Sequence, residues 1–189
     1  MNAEMLQNDS SASGAWASPT ALGLPRVDIS ALAESVAEQL EYRPGEALEP
    51  IVHGLGGRVE FVDIDEDDVN YGSIRVSPGE FVVSLPLDSG PMRDRFTLAH
   101  ELGHFVLHYL YQNQVNGAGV EYLKANRYGS DKAEWEANWF AAAFLMPGSA
   151  FREAFERFEG DMLAIASFFK VSHAAANVRA KSLNLLPRG

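Results

Sequence analysis

At 189 residues, 47% of them hydrophobic, the chain is long enough to bury one compact core and too short for two large domains. It has no cysteine, which excludes disulfides and thiolate ligands and leaves histidine and carboxylate chemistry for any metal. The net charge of −11 argues against nucleic-acid binding over the whole surface; from Asp161 onward, however, one acid faces four bases, so that end carries +3 and the remainder −14.

The start, Met1 to Leu6, lacks the basic and apolar regions of a signal peptide, and no run of about eighteen apolar residues occurs. A cytoplasmic protein is the expectation. Residues 1–26 are rich in Ser, Ala, Gly and Asn, as in Ser10-Ser11-Ala12-Ser13-Gly14, and read as a disordered tail, with Trp16 an exposed linker residue. From Asp28 or Ser30, Ile29, Leu32, Ala33, Val36, Ala37 and Leu40 recur at helical spacing until Pro44-Gly45, which predicts an amphipathic helix. A second short helix around Ile51 to His53 leads into Gly54-Leu55-Gly56-Gly57, whose spacing suits a helix end and turn rather than a phosphate-binding loop.

Three short runs then read as strands: Arg58 to Ile64, Tyr71 to Val76 and Phe81 to Leu85. They predict a small, mostly antiparallel sheet. Between the first two, Asp63 to Asp68 alternate like the opening of a calcium loop but lack its later glycine and glutamate, so a solvated acidic turn is expected. Pro86 ends the third run, which therefore reads as an edge strand. Main-chain pairing along Phe81, Val82, Val83, Ser84 and Leu85 is the expected means of holding an extended peptide substrate.

Pro91 opens the next helix, which carries Thr97-Leu98-Ala99-His100-Glu101-Leu102-Gly103-His104-Phe105-Val106-Leu107-His108. His100 and His104 sit at i and i+4, about 40° apart around a helix and about 6 Å along it, so two imidazoles can converge on one ion. Glu101, about 100° from His100, tends to miss the ion while reaching a water bound to it, which is where a general base belongs. The rest of the helix is apolar on nearly every side, as in a buried element. His108 has its backbone about 12 Å along the axis from that of His100 and is expected beside the site rather than on the same ion.

Residues 112–129 read as a loop with a possible short helix through Tyr122 to Ala125, followed by a strong helix from Asp131 to Met146 that ends at Pro147-Gly148. Glu134 and Glu136 on that helix lie about 200° apart and cannot face one ion. Glu134 shares its face with Asn138, Ala141 and Leu145, small or apolar neighbours that let helices approach, and is the expected third ligand. Asn138 is expected to orient a ligand, and Glu136 reads as a carboxylate paired with Lys132 or capping. His108, Tyr111, Tyr122 and Arg127 are candidates for stabilising an oxyanion. His53 and His173 have no ligand spacing. From Asp161, two helices flank a short turn with Ser172 as N-cap. Asn177, Arg179, Lys181 and Asn184 are conceivable DNA contacts, but a core-closing hairpin is preferred.

Arg95 to His104, then Glu134-Trp135-Glu136-Ala137-Asn138-Trp139-Phe140-Ala141 and Leu145-Met146-Pro147, closely resemble the ImmA/IrrE metallopeptidase family over about residues 28–187. The resemblance implies an α+β, zincin-like metallopeptidase domain: a small sheet packed on an active-site helix and a ligand-bearing helix, with a C-terminal helical hairpin. It implies His100, His104 and Glu134 as ligands of one divalent metal, zinc before manganese, and Glu101 as the base acting on a metal-bound water. The implied substrate is a helix-turn-helix repressor or an antitoxin-like protein, in stress response or mobile-element control. Residues 27–160 would form the core and 161–189 a helix-turn-helix-like segment packed on it. A non-catalytic, metal-stabilised module that binds a repressor or DNA is the rival expectation; direct DNA binding is disfavoured by the acidic charge.

Overall fold

A computed structural model describes residues 15–63, 72–126 and 132–187. In chain order these form α1 (Arg26–Gln39), α2 (Glu49–Gly54), β1 (Gly57–Val62), β2 (Gly72–Ser77), β3 (Glu80–Pro86), α3 (Pro91–Gly103), a π-helix (His104–Tyr111), α4 (Gln112–Gln114), β4 (Leu123–Asn126), α5 (Lys132–Leu145), α6 (Gly148–Arg157), α7 (Met162–Phe169) and α8 (His173–Ser182). The result is the expected α+β domain. Beyond Asp63, the acidic run lies outside the described residues.

The sheet has the order β1-β3-β2-β4, with β1 parallel to β3 and the other two pairings antiparallel. This corrects the edge-strand reading of residues 81–85. β3 lies between β1 and β2, its main chain engaged on both sides, and Phe81, Val82, Val83, Ser84 and Leu85 are at most 5% exposed. A peptide substrate cannot pair there. Pro86 pairs only with the last residue of β1 and limits the strand's length, not its neighbours. A further correction concerns the possible short helix through Tyr122 to Ala125: Leu123–Asn126 is instead the fourth strand, paired with β2.

α5 is the centre of the helical layer. Its buried face of Ala133, Ala137, Phe140, Ala141 and Phe144 takes α1 on one side and α3 on the other. α1 turns Ile29, Ala33 and Ala37 inward, the face expected from periodicity. Small residues on α5 let α3 come close. At Gly103 there is so little room that a Cβ would stand 3.1 Å from the Cα of Ala137.

Residues 15–25 are not a free tail. They form a strap in which Ala17 bridges β4 through Ala17 N–H to Tyr122 O and Lys124 N–H to Ala17 O, both 2.9 Å. The rings of Trp16 and Tyr122 meet edge to face at 5.5 Å. Gln112 Nε2 donates to Thr20 O at 3.1 Å. Main-chain groups make most of these ties, so a composition of Ser, Ala and Gly does not reveal them. Residues 1–14 lie outside the described residues.

At the other end, Asp161 caps α7 by accepting from the N–H groups of Leu163 and Ala164, and Ser172 caps α8 by accepting from Ala175 N–H at 3.1 Å. Arg179 is 3% exposed and donates to Met146 O at 2.8 Å and to Glu34 at 2.6 Å. Asn177 turns back onto the carbonyl of His173. Two of the conceivable DNA contacts are thus engaged within the domain. No helix among the described residues is long and apolar enough to cross a membrane.

Candidate metal centre

Three side chains from two helices meet at the front of α3. His100 Nε2 and His104 Nε2 lie 3.1 Å apart, and the two oxygens of Glu134 reach them at 3.2 Å each. All three ligand atoms fall within 4.8 Å of one another. A tetrahedral zinc with bonds of about 2.0–2.1 Å spaces its donors about 3.3–3.4 Å apart, so the residues present fit a divalent ion of that kind. Glu101, from the same turn as His100, is 3% exposed, and its Oε2 has no hydrogen-bond partner among the described residues. A buried carboxylate oxygen left unpaired is costly, and a water at the centre would satisfy it.

Each histidine is held by its second nitrogen. His100 Nδ1 lies 3.1 Å from Asn138 Oδ1, which only accepts, so Nδ1 carries the proton and Nε2 keeps its lone pair for the site. His104 Nδ1 lies 2.9 Å from His108 Nδ1, and His108 Nε2 lies 3.1 Å from Glu136 Oε2. Glu136 also accepts from Leu22 N–H at 2.8 Å and Gly23 N–H at 2.7 Å. This role for Glu136 was not read from sequence. Lys132 at i−4 suggests a surface pair, yet the partners are an imidazole and two main-chain groups more than a hundred positions away. His108 stays out of the three-ligand cluster and lies behind it, on a segment that is π-helical rather than α-helical as expected. A π-turn within an α-helix recurs at functional sites.

Burial pulls the His100 imidazole down, but the Glu134 hydrogen bond and the charges of Glu101 and Glu134 outweigh it and raise its pKa above the ordinary value. For Glu134, burial acts upward, while the hydrogen bonds of both histidines dominate and lower its pKa to about 2. His108 is lowered to about 4, first by burial and then by the neighbouring His104. It is therefore neutral at pH 7, with one nitrogen donating and the other accepting.

A cleft of about 310 Å³ opens onto this cluster. Ser73, Pro86, Ser89, Arg93, Phe96 and Thr97 line it beside His100, Glu101, Glu134 and Asn138. Ser73 arrives there because the β2–β4 register slips between Gly72 and Ile74, a bulge that re-aims one side chain. Such a slip leaves no mark in composition or periodicity. Of the residues considered for an oxyanion, His108 is buried behind His104, Tyr122 meets Trp16 of the strap edge to face, Tyr111 does not line the cleft and Arg127 lies outside the described residues. Arg93 is the cation that does line it.

The chain is 28% identical over 166 residues to the radiation response metalloprotease IrrE of Deinococcus deserti, an alignment that covers 84% of this chain and 53% of that relative. A solved structure described as a Mycobacterium tuberculosis transcriptional regulator superposes with a TM-score of 0.57 at 20% identity, covering 85% of this chain and 57% of the other, a likeness of fold alone. The chain thus spans a little over half the length of these relatives. Residues 65–181 match the IrrE N-terminal-like domain. This chain accordingly belongs to the IrrE N-terminal-like domain family, the ImmA/IrrE metallopeptidases.

Proposed function

We propose that the protein is a metal-dependent endopeptidase whose substrate is a regulatory protein, a helix-turn-helix repressor or an antitoxin-like protein. The observation that carries this reading is the buried, unpartnered Oε2 of Glu101 beside three converging donors. A closed structural site has no use for such a carboxylate. His100, His104 and Glu134 would hold one divalent ion, zinc by the donor set of two imidazoles and a carboxylate, which when bound polarises the scissile carbonyl and acidifies the attacking water.

The chain's own groups do the remaining work. Glu101 takes the proton from the attacking water and hands it to the leaving amine, a transfer between two oxygen and nitrogen centres that one carboxylate can span. Asn138 keeps His100 in the tautomer that presents Nε2. Arg93, a fixed positive charge on the cleft wall, is placed to steady negative charge that develops on the substrate. A polypeptide substrate is supported by the surface next door. Arg93 and Phe96 also border an apolar groove of about 790 Å³ formed with Pro91, Met92, Val171 and Ala175, room for side chains flanking a cleaved bond.

Incubating the wild type and Glu101→Gln with candidate repressors and looking for fragments by mass spectrometry tests the reading. Glu101→Gln should bind metal and yield no fragments, and His100→Ala should lose both properties. Undiminished cleavage by Glu101→Gln removes Glu101 from its role.

A further inference from the structure

We propose that the strap of residues 15–25 is a working part of the metal centre: through Glu136 and His108 it sets the orientation of His104. The inference rests on the reading of His100, His104 and Glu134 as ligands, and it concerns groups that lie behind them.

The chain of contacts is continuous. His104 uses Nε2 at the front, so its Nδ1 carries a proton, which it donates to His108 Nδ1 at 2.9 Å. His108 then carries its own proton on Nε2 and donates it to Glu136 Oε2 at 3.1 Å. Glu136 is fixed in turn by two main-chain donors, Leu22 N–H on Oε2 at 2.8 Å and Gly23 N–H on Oε1 at 2.7 Å. His104 and His108 are each 1% exposed and Glu136 is 2% exposed, so water does not substitute for any link. A carboxylate behind a ligating imidazole fixes its ring and tautomer. Here that carboxylate stands one histidine further back, and main chain from before α1 holds it. Gly23 takes the turn, at φ 72°, that carries the chain from this carboxylate towards Arg26 at the start of α1. A left-handed φ favours glycine. A Cβ at Gly23 meets nothing within 4 Å, so a substitution there acts through the backbone and not by collision. The strap lies before residues 65–181, which match the family model.

His108 and Glu136 are therefore positioning residues, and Gly23 acts through them. The test measures affinity for Zn²⁺ by chelator competition and the visible absorption of the Co²⁺-substituted protein, in the wild type, Gly23→Val, Glu136→Leu, Glu136→Gln and His100→Ala. Losses of about 10- to 100-fold in metal affinity, with a changed Co²⁺ spectrum, are expected for Glu136→Leu and, at the lower end, for Gly23→Val. Glu136→Gln keeps one accepting oxygen and should recover part of the loss. Wild-type affinity and spectrum in folded Gly23→Val and Glu136→Leu overturn the proposal while leaving the metal centre standing. No metal binding by the wild type, or unchanged binding by His100→Ala, overturns both. Should the variants fail to fold, ¹⁵N NMR of the zinc-loaded wild type decides. The expected pattern is a proton on Nδ1 of His104 and on Nε2 of His108, with His108 Nδ1 bare, and a proton on His108 Nδ1 refutes the chain of contacts.

Discussion

Gly103, one residue before His104, packs directly against the main chain of α5, and replacing it tests how strictly the fold sets the site. In Gly103→Ala the new Cβ would stand 3.1 Å from Ala137 Cα, 3.2 Å from Ala137 O and 3.3 Å from Phe140 Cβ. Two of these three atoms are main chain, so relief requires α3 and α5 to part by a few tenths of an ångström. Replacing glycine by alanine inside a helix contributes about 1 kcal/mol, while overpacking a tight contact costs about 1–3 kcal/mol. The net change is about 0–2 kcal/mol of lost stability, and at about 2–4 °C per kcal/mol for a chain of this size Tm falls by up to about 8 °C. Gly103→Val forgoes the propensity gain and adds volume, so its loss should exceed about 3 kcal/mol. Because Glu134 sits less than one turn from Ala137, the same displacement should weaken metal binding in both variants. Thermal unfolding of the metal-free protein and Zn²⁺ competition titrations read the two effects separately. A Gly103→Ala protein that is more stable by about 1 kcal/mol and binds metal as the wild type does would show that the helices have slack, and the argument would fail.

Chelating the metal should lower Tm: an ion at 100 times its Kd stabilises by about 2.7 kcal/mol, or about 5–10 °C here, and His100→Ala should show no such metal-dependent shift in calorimetry. Arg179→Met removes the bonds to Met146 O and Glu34; with Glu34 partly solvent-screened, the expected loss is about 2–3 kcal/mol in urea unfolding, with no dependence on added DNA. Burial raises the Tyr42 phenol above its ordinary 10.0 against the pull of Arg95, so the stability it contributes is complete below pH 10 and is lost as pH rises through the folded value. Urea midpoints between pH 9 and 11 should therefore fall less steeply in Tyr42→Phe than in the wild type.

What was legible in the sequence was whatever depends on spacing along one helix. His100 and His104 meet because i and i+4 share a face, and Glu134 turns to them while Glu136 turns away because 200° of helix separates the two. The helix pattern of α1, the cap at Ser172 and the proline that opens α3 at Pro91 are equally local. Relations between distant segments were not legible. The terminal proline suggests an edge for β3, although a run of five buried residues from Phe81 to Leu85, with one serine among four apolar side chains, is what a strand with neighbours on each side looks like. The strap resembles a tail in sequence because its ties run through main-chain N–H and C=O groups, which every sequence possesses. Ser73 enters the cleft through a register slip that no residue type announces.

The two glutamates of α5 show how one helix reaches both nitrogens of one imidazole. Glu134 meets His104 Nε2 from the cleft side, and Glu136, two residues on, reaches Nδ1 of the same ring through His108 from the protein side. His104 is consequently held between two points of a single rigid element, and any movement of α5 relative to α3 displaces both together. That arrangement explains why the helices meet at a glycine. A larger residue at 103 would set the distance between them by packing, whereas main-chain contact at Ala137 lets the histidine and carboxylate contacts set it instead. It also places buried polar groups where each has a partner, so that their burial costs little. Within this network, and among the described residues, the exception is Glu101 Oε2, the oxygen to which the proposed function gives the proton of the attacking water.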